Sequence, residues 1–334
     1  MKKADNTRLD RGPGCGDRDS HPLVVVGMSG GVDSSVAAYL LKKQGYDVVG
    51  VFMNHLGSDT ADVLNVARAL AIPCHIIDAA KEFNARVITR YNNEVAHGLV
   101  PNPCCFCNPE VKFKLLCDFA DSVGADFMAT GHYCRLQDGV LKKALDDTKD
   151  QSYFLCGLTQ KQLSRVIFPL GNLTKVEVRK IAKDAGLVCA EKKDSNDICF
   201  KTAVSCFALG QRAGIGGQSQ RMYIIGKSRD GKVRVGTNDS PELYSKSLIA
   251  KNFNWTSGAP PAQKFSCTAK TRYRQPDQKC IVEILKDGRV SVTFEDKQRA
   301  VTPGQWVVLY DGDVCLGGGE IQCTNYNVQC TINE

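Results

Sequence analysis

The sequence predicts an α/β chain: a doubly wound parallel sheet, then a small central domain, then a C-terminal β-barrel-like domain. Three observations carry this. Apolar β-branched runs alternate with helical patterns from Leu23 to about Phe200. The first run stops at a Gly/Ser loop that opens into a helix. Beyond about Thr202 the texture changes to short alternating runs, several of them separated by Asp-Gly turns.

In chain order, Val24–Gly27 reads as a buried strand, followed by a helix over Ser35–Lys43. Tyr46–Met53 is a second strand, Ala61–Leu70 a second helix and Cys74–Asp78 a third strand, with helical pattern through Val87–Val95. Asp126–His132 is a later strand ending at a glycine. The Gly/Ser loop, Met53 and Thr130-Gly131-His132 all stand at carboxyl ends of strands, where sheets of this kind bind ligands. Thr174-Lys175-Val176-Glu177 has capping-box spacing, and apolar Val178, Ile181, Ala182 and Ala185 followed by Gly186 specify a helix. The second half contributes Met222–Ile225, Lys232–Val235, Ile281–Leu285, Val290–Phe294 and Gln305–Tyr310 as strands. The expected boundaries are a disordered tail over 1–21, a nucleotide-binding domain over 22–202, a small and reduced central domain over 203–254, and the barrel-like domain over 255–334.

The bulk properties narrow the field. A chain of 334 residues with 43% hydrophobic and 24% charged residues is an ordinary globular protein of two or three domains. No apolar stretch approaches a bilayer span, so no membrane association is expected. The residues through Ser20 are polar and of mixed charge, with no apolar signal core, which points to the cytoplasm. A net charge of +7 permits a polyanionic partner without requiring one. Sixteen cysteines in such a compartment should be reduced thiols, and most, such as Cys117, Cys156 and Cys267, read as small core residues.

The loop Gly27-Met28-Ser29-Gly30-Gly31-Val32-Asp33-Ser34 lets several backbone N–H groups face one anion at a helix N-terminus. It is suited to a polyphosphate. It lacks the Gly-Lys-Ser/Thr of the P-loop and is not Gly-x-Gly-x-x-Gly. Ser-Gly-Gly-x-Asp-Ser instead resembles the signature of enzymes that cleave ATP between its α and β phosphates. The plain alternative is a structural turn.

Pro101-Asn102-Pro103-Cys104-Cys105-Phe106-Cys107-Asn108-Pro109 reads as an extended, turn-rich loop, with helix from Glu110. That places Cys107 just ahead of a helix N-terminus, a position favouring thiolate. Cys104-x-x-Cys107 is a metal or redox spacing but only half a zinc site, and a turn with buried thiols fits as well. Cys199 follows the polar run Lys192–Asp197, whose lysines are placed to stabilise a thiolate. Alone, it reads as structural or catalytic.

Taken together, these stretches resemble the tRNA-specific 2-thiouridylase family, an adenine-nucleotide α-hydrolase-like fold with ATP-pyrophosphatase chemistry. The matches extend over Lys149–Leu155, Phe168–Gly171, Ile198–Phe200, Gly210–Arg212, Lys270 with Arg272–Arg274, Ala300–Gln305 and Cys315–Ile321. The resemblance implies a tRNA-uridine 2-sulfurtransferase acting on the wobble uridine. ATP would lie on Gly27–Ser34, with adenine near Met53 and Gly131, and with Mg²⁺ to offset phosphate charge. Uridine O2 would attack the α phosphate. A persulfide on Cys199, loaded by a cysteine desulfurase or relay protein, would then deliver sulfur to C2. Cys107 would resolve it through a transient Cys107–Cys199 disulfide or assist a hydrosulfide. Asn102, Pro103 and Cys104 would meet the target base, and His132, Lys149, Asp150, Gln151, Arg272, Tyr273 and Gln305 the tRNA.

The chain departs from the family pattern at Cys104, where many relatives carry Asp. Cys104, Cys107 and Cys199 therefore also suit three irons of a [4Fe–4S] cluster, a second sulfur route. The loop after Met53 and the stretch from Phe200 to Gly210 are short. Other readings are an ATP-pyrophosphatase with a different substrate and a non-catalytic RNA-binding protein.

Overall fold

The computed structural model describes residues 21–193, 199–200, 207–215, 220–227 and 232–324. The tail expected through Ser20, residues 194–198 of the run before Cys199 and residues 201–206 of the shortened stretch lie outside the described residues.

The first half builds β1 (Leu23–Gly27), α1 (Val32–Lys43), β2 (Asp47–Asn54), α2 (Ala61–Ala69) and β3 (Cys74–Asp78). Next come α3 (Ala80–Phe83) and α4 (Thr89–Ala96), joined by a π turn. They are followed by α5 (Pro103–Cys107), α6 (Phe113–Ser122), β4 (Phe127–Thr130), β5 (Arg135–Gln137), β6 (Val140–Lys142), α7 (Ser152–Leu155), α8 (Gln160–Leu163), β7 (Val166–Ile167) and α9 (Lys175–Asp184). Five strands form a parallel sheet in the order β3–β2–β1–β4–β7. Both faces are covered, which is why β1 is a continuous apolar run. Val24 and Val26 pack with Val36, Ala37 and Leu41 of α1. Val25 faces the other way, into a core with Phe113 and Leu116 of α6. The chain leaves β1 toward β2 on one side and meets β4 on the other, so a crevice opens at their carboxyl ends.

One expectation is corrected here. Cys104 and Cys107 do not sit in an extended loop. α5, a π turn over Asn108–Lys112 and α6 run as one continuous helical stretch from Pro103 to Ser122. Pro103 opens the helix, because the first turn needs no proline N–H and the fixed φ suits it. Asn102 before it takes the extended conformation, φ −102°, ψ 95°. The helix at Thr174 has the expected reciprocal capping box: Glu177 N donates to Thr174 Oγ1 and Thr174 N to Glu177 Oε2.

The second half builds the hairpin β8 (Tyr223–Lys227) and β9 (Val233–Gly236). It continues with β10 (Tyr244–Trp255), β11 (Lys264–Lys270), β12 (Gln278–Ile284), β13 (Val290–Arg299), β14 (Trp306–Asp311) and β15 (Val314–Thr324). The antiparallel order β10–β13–β12–β11–β14–β15 closes through β10–β15 pairing into a barrel around Leu248, Val282, Val292, Phe294, Leu309 and Ile321. By its pairing β10 belongs to this barrel, although it lies mostly before residue 255. Its β-bulges and polar residues weaken the alternation that marks the other strands. The β5–β6 hairpin of the first half continues the same sheet, with Lys142 opposite Val314. No described helix is long and apolar enough to cross a membrane.

The halves are also joined by charge. Arg90 of α4 bonds Glu94, Glu110 and, on β15, Glu320, while its guanidinium lies 4.1 Å from the Phe106 ring centroid. Glu320 is buried, and Lys251 Nζ stands 3.8 Å from its second oxygen. Arg90→Ala is expected to lower the unfolding free energy by about 3 kcal/mol in urea titration. A loss below about 1 kcal/mol, the range of exposed pairs, would remove this bridge from the account.

Candidate active site

The phosphate loop folds on its own hydroxyls. Ser29 N donates to Ser34 Oγ at 3.1 Å, and Ser35 Oγ donates to the Gly31 carbonyl at 2.7 Å. Gly31 caps α1 with no side-chain acceptor, leaving the first-turn N–H groups to an incoming anion. Two glycines are required. Gly30 has φ +69°, and a Cβ there would fall 2.9 Å from Asp62 Cβ and Val63 N. A Cβ on Gly131 would fall 2.6 Å from Ser34 N, so the exit of β4 presses directly against the start of α1. Gly27 closes β1, whereas Met28 and Val32 are buried in the core below the loop. Met53 is half-buried near the end of β2, and its carbonyl lies 3.0 Å from His55 Nδ1.

Asp33 anchors the loop. Its Oδ1 accepts from Tyr133 Oη at 2.8 Å and from Lys175 Nζ at 2.6 Å. Tyr133 is fixed in turn by Gln151: Tyr133 N donates to Gln151 Oε1, and Gln151 N to the Tyr133 carbonyl. Lys192 approaches the same loop, with Nζ 2.5 Å from Asp62 Oδ2 and 3.4 Å from the Gly30 carbonyl. It therefore serves the phosphate loop, and not Cys199 as the sequence suggested.

The thiols lie beyond a shared wall. His132, next to Gly131, stacks on Phe113 with centroids 5.8 Å apart, and its Nδ1 is 2.8 Å from Thr130 Oγ1. Burial lowers the His132 pKa to about 3, so the ring stays neutral at physiological pH. Lys112, beside Phe113, makes no ion pair among the described residues. Its charge is felt at Cys104, Cys107, Cys199, His55 and His132. Burial nevertheless dominates at all three thiols. It raises Cys104 and Cys199 and pushes Cys107 up to about 12. The expectation that Cys107 favours thiolate is corrected. The helix starts at Pro103, so Cys107 is one turn inside it and packed in the core, where desolvation outweighs the helix terminus. Cys199 is the most exposed cysteine among those described, although its surroundings still partly desolvate the thiol. Phe200 fixes it in place, packing edge-on against Phe83 and Tyr91. Among the described residues no group of three or more Cys, His, Asp or Glu has metal-holding geometry. Cys104, Cys107 and Cys199 lie within electrostatic reach of one another without forming a metal-holding group there.

Several residues expected to contact tRNA are bonded within the protein. Asp150 is buried, accepting from Ala144 N, Ser152 N and Ser152 Oγ. Arg272 Nη2 donates to the carbonyls of Leu209 and Ala300 and to Thr302 Oγ1, and its buried Nε has no partner. Tyr273 packs on Phe154 at 4.4 Å between centroids. Gln305 Nε2 donates to the Val100 carbonyl at 2.6 Å, tying a barrel loop to the segment leading into Asn102 and Pro103. Lys149 is half-buried just before Asp150.

Sequence reading passed over Lys175 and Lys112. A lysine in the first turn of α9 opposes the helix dipole, and that was the available signal for Lys175. Lys112 carries no signal of its own in the sequence, because its placement depends on the π turn over Asn108–Lys112, which no local pattern announces.

The loop, the crevice between β1 and β4 and the attached barrel define an α/β protein with an anion-binding type of loop and an appended β-barrel. A family model described as tRNA methyl transferase HUP domain matches residues 22–203, and one described as aminomethyltransferase beta-barrel domain matches residues 245–321. The tRNA-specific 2-thiouridylase MnmA of Lysinibacillus sphaericus is 45% identical over 349 aligned residues, covering 89% of this chain and 93% of its own. That of Chlamydia trachomatis serovar D is 43% identical, covering 90% of this chain and 97% of its own. The chain belongs to the tRNA-specific 2-thiouridylase family.

Removing the central ammonium should be measurable. Lys112→Met is expected to slow iodoacetamide labelling of Cys199 near neutral pH roughly three- to tenfold, because a higher pKa means less thiolate. Cys107 should label last of the three in either protein. An unchanged Cys199 rate in Lys112→Met would show that the ammonium does not govern that thiol.

Proposed function

We propose that this chain catalyses ATP-dependent 2-thiolation of the wobble uridine of tRNA in the cytoplasm. The observation that carries this reading is the shared wall: Gly131 backs onto the phosphate loop, and the adjacent His132 stacks on Phe113 of the helical stretch that bears Cys104, Cys107 and Lys112, whose charge also reaches Cys199. An activated carbonyl and a protein-borne sulfur can meet there.

In this reading the first-turn amides of α1 hold the ATP phosphates, with Met53 and Gly131 beside the adenine. Lys175 exchanges Asp33 for phosphate oxygen as charge develops, and Asp33 Oδ2 is left to a cation. Asp33 with the substrate phosphates is a fitting seat for Mg²⁺, which would supply charge neutralisation when bound. Uridine O2 attacks the α phosphorus and pyrophosphate leaves. The terminal sulfur of a Cys199 persulfide attacks C2, and AMP departs with the oxygen. Cys107, having lost its proton, attacks Cys199 Sγ. The Cys107–Cys199 disulfide forms, the S–S bond to the transferred sulfur breaks, and 2-thiouridine is released. A thiol reductant then restores both cysteines, and an upstream persulfide donor reloads Cys199. The high pKa of Cys107 keeps the resolving thiol protonated at rest, so it does not discharge the persulfide before the base arrives.

Asn102, Pro103 and Cys104 are assigned to the flipped-out base at the helix start. His132 and Lys149 are assigned to direct tRNA contact. Asp150, Gln151, Arg272, Tyr273 and Gln305 support that surface through the bonds above. No step runs through an iron–sulfur cluster.

The decisive assay is tRNA-dependent pyrophosphate release with nucleoside analysis of the tRNA. Cys199→Ala is expected to abolish 2-thiouridine while tRNA affinity stays within about twofold. Normal thiolation by that variant would end the assignment. Asp33→Ala and Lys175→Ala should each slow pyrophosphate release by on the order of 10²-fold, the scale of losing a charge-stabilising group. Release without tRNA, driven by a small molecule, would point to another substrate class.

A further inference from the structure

We propose that Cys267 and Cys280 form a reversible disulfide under peroxide, a modification site that closes the stem of the hairpin carrying Arg272, Tyr273 and Arg274. The two cysteines are direct partners across β11 and β12. Their sulfurs are 3.7 Å apart, and Cys280 Sγ lies 3.6 Å from the Cys267 carbonyl. Opposed residues of an antiparallel ladder have Cα separations of about 4.5–5.5 Å, within the span a disulfide accepts. Closing the bond therefore needs side-chain rotation and no strand movement. Cys267 is half-buried and offers a point of entry, whereas Cys105, Cys134, Cys156 and Cys315 are enclosed.

The pair flanks residues 271–277, the connection between β11 and β12. This connection reaches well beyond its own strands. Tyr273 packs on Phe154 of the first half, Arg272 bonds Leu209, Ala300 and Thr302, and Asp277 accepts from Lys143 and Thr268. A covalent tie at its base limits how far this segment can open.

The chemistry balances. The Cys267 sulfur attacks one peroxide oxygen, giving a sulfenic acid and one water. Cys280 attacks the sulfenic sulfur, forming the S–S bond and releasing a second water. A dithiol reverses the step by exchange. The neighbouring Cys280 thiol and burial favour the protonated form of Cys267.

The test uses the full chain. Hydrogen peroxide treatment, alkylation of remaining thiols and peptide mapping should yield a Cys267–Cys280 linked peptide. It should be absent in Cys267→Ala and Cys280→Ala and lost on dithiothreitol. In the oxidised wild type, amide exchange across 271–277 should slow by about tenfold or more, and not in either variant. Oxidation elsewhere with Cys267 and Cys280 still free would overturn the proposal. So would a linked pair with unchanged exchange in 271–277. Neither readout depends on tRNA, so its failure is separable from failure of the proposed function.

Discussion

The carboxylate of Asp33 is where distant stretches of the chain meet, and the geometry of the crevice follows from it. Tyr133 from the exit of β4 and Lys175 from the start of α9 donate to the same oxygen. Gln151, ahead of α7, fixes Tyr133 through both of its backbone groups. The phosphate loop is thus held by charge from one direction and by a phenol from another, while its own serines set its curvature. A lysine in the first turn of a helix is electrostatically misplaced unless an anion compensates. Asp33 supplies that anion.

The thiols show how burial and charge divide control of a reactive group. Lys112 acts to lower the pKa of Cys104, Cys107 and Cys199, yet desolvation prevails at all of them. The most enclosed, Cys107, is shifted furthest among the three. Exposure is graded across the three thiols, from buried Cys107 through Cys104 to Cys199. Its position is set by an aromatic contact, since Phe200 packs between Phe83 and Tyr91.

Much of the fold was legible because it is written in local patterns. β1 and its loop, the capping box at Thr174 and most barrel strands follow from period, turn residues and caps. The start of α5 was misread because two prolines and an asparagine signal a loop equally well, and only helix packing shows Pro103 as a first residue. Lys112, Lys175 and Lys192 have roles set by partners far away in sequence, and no spacing rule reaches them. The same holds for β5 and β6, which precede the barrel by a hundred residues and still join its sheet. Several residues matched to tRNA contact by resemblance also bond within the protein, which residue type alone does not reveal.

The pairing of Lys142 with Val314 and the bond from Gln305 to Val100 make the barrel part of the site's scaffold. A cassette joined by a flexible tether can be cut away and leave its neighbour intact. Here excision would bare the edge of the β5–β6 hairpin and release the segment that aims Asn102 and Pro103. The two halves are obliged to change together, so exchanging one between relatives would carry the seam along with it.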